Sequence, residues 1–145
     1  MTDNNARIYV VAVGLDDSAS SWKAFGEALQ FASVKKAELH IVSIQETADA
    51  SYSASEVLAT DKTSREKLEK AQNKASIMAE EAGITATTEI VAGSSTAAMV
   101  DYVKTHDIDL LVIGDTGHSS IWGALLGTNA EKIVRHAKCS VMVVR

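Results

Sequence analysis

A glycine-spaced segment in the last third of the chain has the residue types that suit phosphate binding. Gly114, Gly117 and Gly127 punctuate it, and Thr128 follows at the start of a helix-patterned stretch. Glycine lets the backbone approach a ligand closely, and the first N–H groups of a helix have no partner within that helix. A helix beginning after Gly127 would present these N–H groups and its positive dipole end to an anion. We therefore predict a nucleotide phosphate site, although Gly114 and Gly117 alone could equally mark a turn after a strand.

The spacing excludes two commoner glycine motifs. A Walker loop ends in Gly-Lys-Ser/Thr, but here Asn129 follows Gly127 and Thr128, so the phosphate-binding lysine is missing. A dinucleotide-binding fingerprint needs Gly-x-Gly-x-x-Gly after the first strand, where this chain has the single glycine Gly14. NAD binding is therefore not expected.

Composition restricts the class of protein. The chain has 145 residues, 46% hydrophobic and 23% charged, which is typical of one globular domain over residues 1–145. Its longest apolar runs are far shorter than the roughly 20 residues of a membrane-spanning helix. A net charge of −5 argues against broad nucleic-acid binding. The polar N-terminus does not resemble a signal peptide and Cys139 is the single cysteine, so we expect a cytoplasmic protein without thiolate metal clusters.

Apolar, β-rich runs alternate with helix-patterned segments along the whole chain. The alternation predicts a doubly wound α/β domain, with a parallel sheet covered by helices on both faces. The predicted strands are 8–13, 39–44, 87–91, 110–113 and 141–144. Apolar stripes predict that two helices pack on the core through Trp22, Phe25, Ala28, Leu29 and Ala32, and through Leu68, Ala71, Ala75, Met78 and Ala82. Two shorter helices are predicted over 97–104, with Ser94 or Ser95 as N-cap, and over 129–137.

One segment, residues 45–60, does not follow this alternation. It is rich in Ala, Ser and Thr and shows no sustained period. We expect a long irregular loop here, serving as a lid or a partner surface or lacking fixed structure.

The predicted topology brings two loops together at one edge of the sheet. Ligands of open α/β sheets bind beyond the carboxyl ends of the strands, where the winding reverses. If strands one and four are neighbours there, Asp16 faces the glycine loop across one crevice. Asp16 could accept hydrogen bonds from a ribose or an adenine amine, while one residue among Asp16, Asp17 and Ser18 also caps the following helix.

These residues resemble the universal stress protein family over essentially the whole chain. The nucleotide-binding branch of that family carries Gly-x2-Gly-x9-Gly-Ser/Thr, which Gly114, Gly117, Gly127 and Thr128 match. The resemblance implies ATP binding, with Mg²⁺ brought by the nucleotide, strand order 3-2-1-4-5, and a homodimer. It implies that the nucleotide contacts Val13, Asp16, Ile44, Gly114, Gly117, His118, Gly127, Thr128 and Asn129.

Two loop residues depart from the family pattern. Asp115 stands where Ser or Thr is common, and His118 stands where Arg is common. A carboxylate repels phosphates unless it points away or binds a bridging Mg²⁺. A histidine with an ordinary pKa of about 6.5 is mostly neutral at physiological pH. We therefore expect a modest or pH-dependent affinity that increases when His118 is protonated.

The last predicted strand, from Val141 to Val144, would lie at an edge of the sheet. It is apolar throughout, and an exposed apolar edge favours pairing with a second copy, although the N-terminal tail could cover it instead. The leading functional hypothesis is an ATP-binding regulator of an unidentified protein. The alternatives are a slow ATPase or self-phosphorylating protein using Ser119, Ser120 or Thr128, and a nucleotide-free dimeric interaction module.

Overall fold

A computed structural model describes residues 6–47, 53–115 and 127–145 of the chain. Strands and helices alternate throughout these residues, as the sequence pattern predicts. Their bounds are β1 Val10–Gly14, α1 Ala19–Lys35, β2 Glu38–Gln45, α2 Ala54–Glu81, β3 Ala86–Ala92, α3 Ser95–Thr105, β4 Leu110–Gly114, α4 Thr128–His136 and β5 Ser140–Val144. The strand predictions are confirmed to within one residue, except that β1 begins at Val10 instead of Ile8. None of the helices in the described ranges is long and apolar enough to cross a membrane.

The strands form one parallel sheet in the order β3-β2-β1-β4-β5, which confirms the predicted doubly wound fold. In the middle of the sheet Val13 on β1 pairs with Ile41 on β2 and with Val112 on β4. Because β1 has β2 on one side and β4 on the other, the winding reverses between β1 and β4. The loops that follow these two strands therefore separate from each other and leave room for a ligand.

Helices cover both faces of the sheet. On one face α1 and α2 pack their small and aromatic side chains on alternate strand residues, with Phe25, Leu39 and Ile41 at 0% exposure. On the other face α3 and α4 pack through Met99 and Ile133. Burying an aliphatic or aromatic side chain of this size stabilises a fold by about 1.5–3 kcal/mol. The two apolar layers together fix the strand register and hence the positions of the strand ends.

The predicted helix stripes are confirmed for α1 and only in part for α2. Leu68, Ala71 and Ala75 are buried, as predicted, but Met78 is 37% exposed and Ala82 is exposed. Ala79, four residues after Ala75, takes the buried position instead, at 0% exposure. A helix keeps residues four apart on the same face, so the stripe continues through Ala79. Ala82 is the C-cap and lies beyond the last helical turn.

The predicted irregular loop over 45–60 is wrong for residues 54–60, which form the beginning of α2. Ser53 caps this helix with a capping box, in which its side chain accepts from the Glu56 N–H and the Glu56 side chain accepts from the Ser53 N–H. None of the side chains described between Ala54 and Lys67 is buried. This part of α2 has no apolar stripe because it does not pack on the sheet, and its helical state depends on its cap and local propensity.

Strand β5 pairs with β4 on one side, and Val141, Met142, Val143 and Val144 are all partly exposed. Within the described ranges no strand pairs with its other side, so β5 is an edge of the sheet, as expected. Homodimer formation through this edge stays a prediction. The unpaired backbone groups of an apolar edge strand are a known route to association.

Candidate functional site

A crevice of about 710 Å³ lies where the winding of the sheet reverses. The ends of β1, β2 and β4 form its floor, and the first turns of α1, α3 and α4 and a middle turn of α2 form its walls. Its volume falls in the range of small-molecule and cofactor pockets. It brings together most of the expected site residues, namely Asp16, Ile44, Gly114, Gly127, Thr128 and Asn129.

Three expected residues are not part of this described lining. Val13 is at 0% exposure, and its side chain packs in the core between the sheet and α1. Val13 therefore positions the end of β1 from beneath the crevice. Gly117 and His118 lie outside the described residues.

The turn after β1 fixes Asp16 at the mouth of the crevice. Asp16 accepts a hydrogen bond from the Ser18 N–H at 2.9 Å, and Ser18 caps α1 by accepting from the Ser21 N–H at 3.1 Å. Asp17 adopts a left-handed conformation with φ 70° and accepts a hydrogen bond from the Trp22 indole N–H at 2.9 Å. Partial burial raises the pKa of Asp16, but the hydrogen bonds from Ser18 and Ser21 outweigh it and hold this pKa below its usual value. Asp16 is thus ionised at neutral pH and can accept hydrogen bonds from ligand hydroxyls.

A buried polar group supports this turn from below. The Ser43 hydroxyl donates to the Leu15 carbonyl at 2.6 Å, and the Gln72 amide donates to the Ser43 hydroxyl at 3.1 Å. The same amide donates to the Glu89 carbonyl at 2.7 Å. Ser43 and Gln72 are among the few buried polar residues described, and the hydrogen bonds offset the cost of their burial. The sequence analysis did not identify either residue.

The beginning of α4 offers unpaired N–H groups to the crevice. Gly127 is the N-cap, with φ −58° and ψ 150°, and no side chain within the described ranges caps the helix. The Gly127 N–H donates to the Asp115 carbonyl at 3.0 Å, and the Asp115 N–H donates to the Val144 carbonyl at 3.0 Å. Gly127 has no side chain and therefore leaves room for a ligand, but its N–H is already used and cannot bind one. The N–H groups of residues 128–130 have no acceptor inside the helix, and no described residue outside it accepts from them, so they suit an anion.

Gly114 has a packing role that its place in the glycine motif does not reveal. A Cβ atom at this position would lie 2.9 Å from the backbone carbon and oxygen of Ser20 in the first turn of α1. Real Cβ atoms do not approach backbone atoms this closely, so α1 can rest on the end of β4 only because residue 114 is glycine. The Ser20 hydroxyl is buried in this contact and has no hydrogen-bond partner among the described residues.

Further polar residues line the crevice, among them Ser64, Lys67 and Glu46, which the sequence analysis did not single out, and Ser95, which it considered only as a helix cap. Ser64 and Lys67 come from α2, Glu46 follows β2, and Ser95 begins α3. The Ser95 hydroxyl donates to the Glu46 carboxylate at 2.7 Å, which joins the end of β2 to α3. None of these residues belongs to a recognisable motif. The capping signal at Ser53 and Glu56 could have revealed the helix that carries Ser64 and Lys67, but not which side of it faces the crevice.

Metal-ligand geometry is not found in the part of the chain that the structure describes, where no three His, Cys, Asp or Glu side chains are grouped suitably. Cys139 is partly exposed, and burial raises the pKa of its thiol. A thiol with a raised pKa is mostly protonated at neutral pH and is a poor nucleophile. The described lining of the crevice offers N–H groups, hydroxyls and carboxylates.

Residues 9–145 match the universal stress protein family. The chain is 35% identical over 81 residues to universal stress protein MJ0531 of Methanocaldococcus jannaschii, a match that spans 56% of this chain and about half (48%) of that relative. The structure of universal stress protein UspA from Lactobacillus plantarum superimposes with a TM-score of 0.88 at 27% identity, covering 97% of this chain and 100% of that one. A universal stress protein solved in complex with cAMP superimposes with a TM-score of 0.75 at 29% identity, covering 97% and 99%. The match over nearly the whole chain shows that this protein belongs to the universal stress protein family.

Proposed function

We propose that this chain binds an adenine nucleotide in the crevice and acts as a cytoplasmic, nucleotide-dependent regulator. ATP is the expected ligand, with Mg²⁺ carried by its phosphates. The observation that carries the proposal is the beginning of α4, where residues 128–130 line the crevice and no side chain in the described ranges caps the helix. The relative solved with cAMP supports an adenine nucleotide as the class of ligand.

Each part of the crevice suits a different part of the nucleotide. The N–H groups at the beginning of α4, with the Thr128 hydroxyl and the Asn129 amide, suit the phosphates. The ionised carboxylate of Asp16 suits the ribose hydroxyls. The partly exposed end of β2 at Ile44 provides an apolar surface for the base. A bound nucleotide would thus extend from β2 across the ends of β1 and β4 to α4.

A regulatory role is supported by the backbone contacts of Asp115. Its carbonyl accepts from the beginning of α4, and its N–H donates to Val144 at the end of the edge strand. Any shift of α4 on nucleotide binding would therefore reach β5 through a single residue, Asp115. We propose that β5, from Val141 to Val144, pairs with a second copy and that nucleotide occupancy changes the surface this dimer presents to a partner.

The experiment that tests nucleotide binding is calorimetric titration of Mg-ATP into nucleotide-free protein and into the Gly127→Val variant. A branched side chain at the N-cap of α4 should block the approach of phosphate, and the ordinary φ of −58° tolerates it, so we expect a folded variant without measurable binding. Ser94→Val is the matched control, because Ser94 is the N-cap of α3, makes no capping hydrogen bond and does not line the crevice.

Two results would count against this proposal. Equal binding by Gly127→Val and the parent would place the nucleotide elsewhere. No binding by the parent would favour the alternative of a nucleotide-free interaction module. An enzyme is less well supported, because residues 114–128 include no lysine or arginine to stabilise a transferring phosphoryl group.

A further inference from the structure

The charges around the crevice are unusual for a site that would receive a triphosphate. Three carboxylates line it, those of Asp16, Glu46 and Asp115, and Lys67 is the only cation among the described lining residues. Lys67 forms no ion pair with any of them in the described part of the chain. Its described lining residues therefore carry three carboxylates and one ammonium group, a surplus of negative charge.

The three carboxylates differ in how far the protein compensates them. Asp16 accepts the Ser18 N–H, and Glu46 accepts the Ser95 hydroxyl beside the beginning of α3. The Asp115 carboxylate has no hydrogen bond or ion pair with any described residue, yet its own backbone carbonyl holds Gly127 at the beginning of α4. Among the described residues, Asp115 is thus the carboxylate that nothing compensates, and it adjoins the N–H groups that suit phosphates.

The glycine motif supplies neither lysine nor arginine to balance Asp115, since residues 114–128 contain none. The groups that the described part of the site offers to phosphates are the N–H groups of residues 128–130, the Thr128 hydroxyl and the Asn129 amide, which are dipoles. The dipoles at the beginning of a helix act on an anion like a positive charge of about one half. Such a partial charge suits one phosphate group better than three.

We propose that this crevice selects nucleotides by the charge of their phosphates and that Asp115 sets the selection. A nucleotide with one phosphate group, such as cyclic AMP or AMP, binds without metal. ATP binds only when Mg²⁺ has neutralised part of its charge. This inference rests on the proposed nucleotide site, and it concerns which charge state that site accepts.

Calorimetric titration of cyclic AMP, AMP, ATP with excess EDTA, and Mg-ATP into nucleotide-free protein tests the selection. We expect cyclic AMP to bind at least about tenfold more tightly than metal-free ATP, because each additional charge near Asp115 is repelled. Raising the salt concentration from about 0.05 M to about 0.5 M should strengthen the binding of metal-free ATP, because salt screens the repulsion between ATP and the carboxylates. Attraction to a cationic site would give the opposite dependence on salt.

Asp115→Asn tests the assigned residue, with Asp101→Asn as the matched control. Asp101 is exposed on α3 and does not line the crevice. We expect Asp115→Asn to tighten metal-free ATP binding by about tenfold and to change cyclic AMP binding much less, while Asp101→Asn changes neither. Thermal denaturation of both variants establishes that they are folded.

The possible results separate this inference from the function on which it rests. Metal-free ATP that binds as tightly as cyclic AMP, with no response to Asp115→Asn, would overturn the charge selection and leave the nucleotide site intact. A parent protein that binds none of the four ligands would overturn both. If Asp115→Asn binds metal-free ATP more tightly than the parent and Asp101→Asn does not, the result would support Asp115 as the residue that sets the selection.

Discussion

Helices α1 and α4 begin at the same edge of the sheet, each after one of two neighbouring strands, but their first turns differ in whether a side chain caps them. Ser18 caps α1 by accepting a hydrogen bond from the Ser21 N–H, and Asp16 holds the preceding turn. Helix α4 begins at Gly127, and no described side chain caps it. The topology is the same for both, so the cap residue decides whether a helix start serves the fold or remains available to a ligand.

Two glycines of the family motif, Gly114 and Gly127, also differ in their roles. Gly114 ends β4 and makes room for the backbone of Ser20 in α1, whereas Gly127 is the N-cap of α4, which no described side chain caps. One glycine therefore serves packing and the other serves the proposed phosphate site. The comparison predicts that substitutions on the α1 side change stability and that substitutions on the α4 side change binding.

The largest effect is expected for Gly114→Ala. The added methyl group would come within 2.9 Å of the Ser20 backbone, so α1 or β4 must shift. Overpacking of this kind costs about 3 kcal/mol, measured as a lower midpoint in urea denaturation. The control is Gly26→Ala in α1, where a Cβ meets no atom within 4 Å and should stabilise the helix by about 1 kcal/mol. Equal midpoints for Gly114→Ala and the parent would show that the contact is not tight.

The next effect is expected for proline at the first position of α4. Thr128→Pro removes an N–H that has no partner within the helix, and the extended ψ of 150° at Gly127 is compatible with a following proline. We expect an unchanged free energy of unfolding and nucleotide binding weakened by about tenfold, measured by calorimetry. Thr128→Ala separates the loss of the hydroxyl from the loss of the N–H.

Ala19→Pro is the corresponding change at the first position of α1. Ser18 has a ψ of 156°, so the backbone is equally compatible with proline there. Because α1 is already capped, we expect nucleotide affinity to stay within about twofold of the parent. A large loss of binding in Ala19→Pro would mean that both helix starts contact the phosphates, and the contrast between them would fail.

A smaller effect is expected for the caps themselves. Ser18→Ala removes the hydrogen bond to the Ser21 N–H and should cost about 1 kcal/mol in urea denaturation. Ser94→Ala at the N-cap of α3 should cost only a few tenths of a kcal/mol, because the Ser94 side chain makes no capping hydrogen bond. Similar costs for the two variants would indicate that the Ser18 hydrogen bond contributes little.

The smallest effect concerns the dependence of stability on pH. The pKa of Asp16 is lowered in the folded protein, since its hydrogen bonds from Ser18 and Ser21 outweigh partial burial. A lowered folded pKa contributes stability above the unfolded value of about 3.9, and this contribution disappears as pH falls through the folded pKa. Asp16→Asn should therefore flatten the loss of stability below about pH 4.5, measured by thermal denaturation. An unchanged profile would show that the Asp16 turn does not respond to protonation.

The alternation of apolar runs was sufficient to predict a parallel sheet covered on both faces and most of the core, because buried parallel strands require apolar residues on both sides. The strand order came from the family resemblance instead. The same rule failed for the first turns of α2, which do not pack on the sheet and so carry no apolar stripe. Their helical state was nevertheless encoded by Ser53 and Glu56. A capping box is a local signal that does not depend on burial, and it was the better guide there.

The candidate site was predictable only where backbone geometry demanded a particular residue type. Gly127 and Asp16 follow from the motif and the topology. Lys67 and Ser95 reach the crevice because of how far α2 extends and how α3 is oriented, and Glu46 does so because it follows β2 and bonds to Ser95. These are tertiary properties. The hydrogen bond from the Gly127 N–H to the Asp115 carbonyl was equally unpredictable from the sequence, because it depends on how residues 115 and 127 are placed in the fold.

The two backbone hydrogen bonds of Asp115 have a consequence for changes at this position. One joins residue 115 to Gly127 and the other joins it to Val144, and both use main-chain atoms that every residue type except proline supplies in full. The side chain at residue 115 takes part in neither bond, so its charge can change while the ends of β4, α4 and β5 stay joined. The proposed charge selection can therefore be altered by one substitution without loosening the strands and the helix that residue 115 connects.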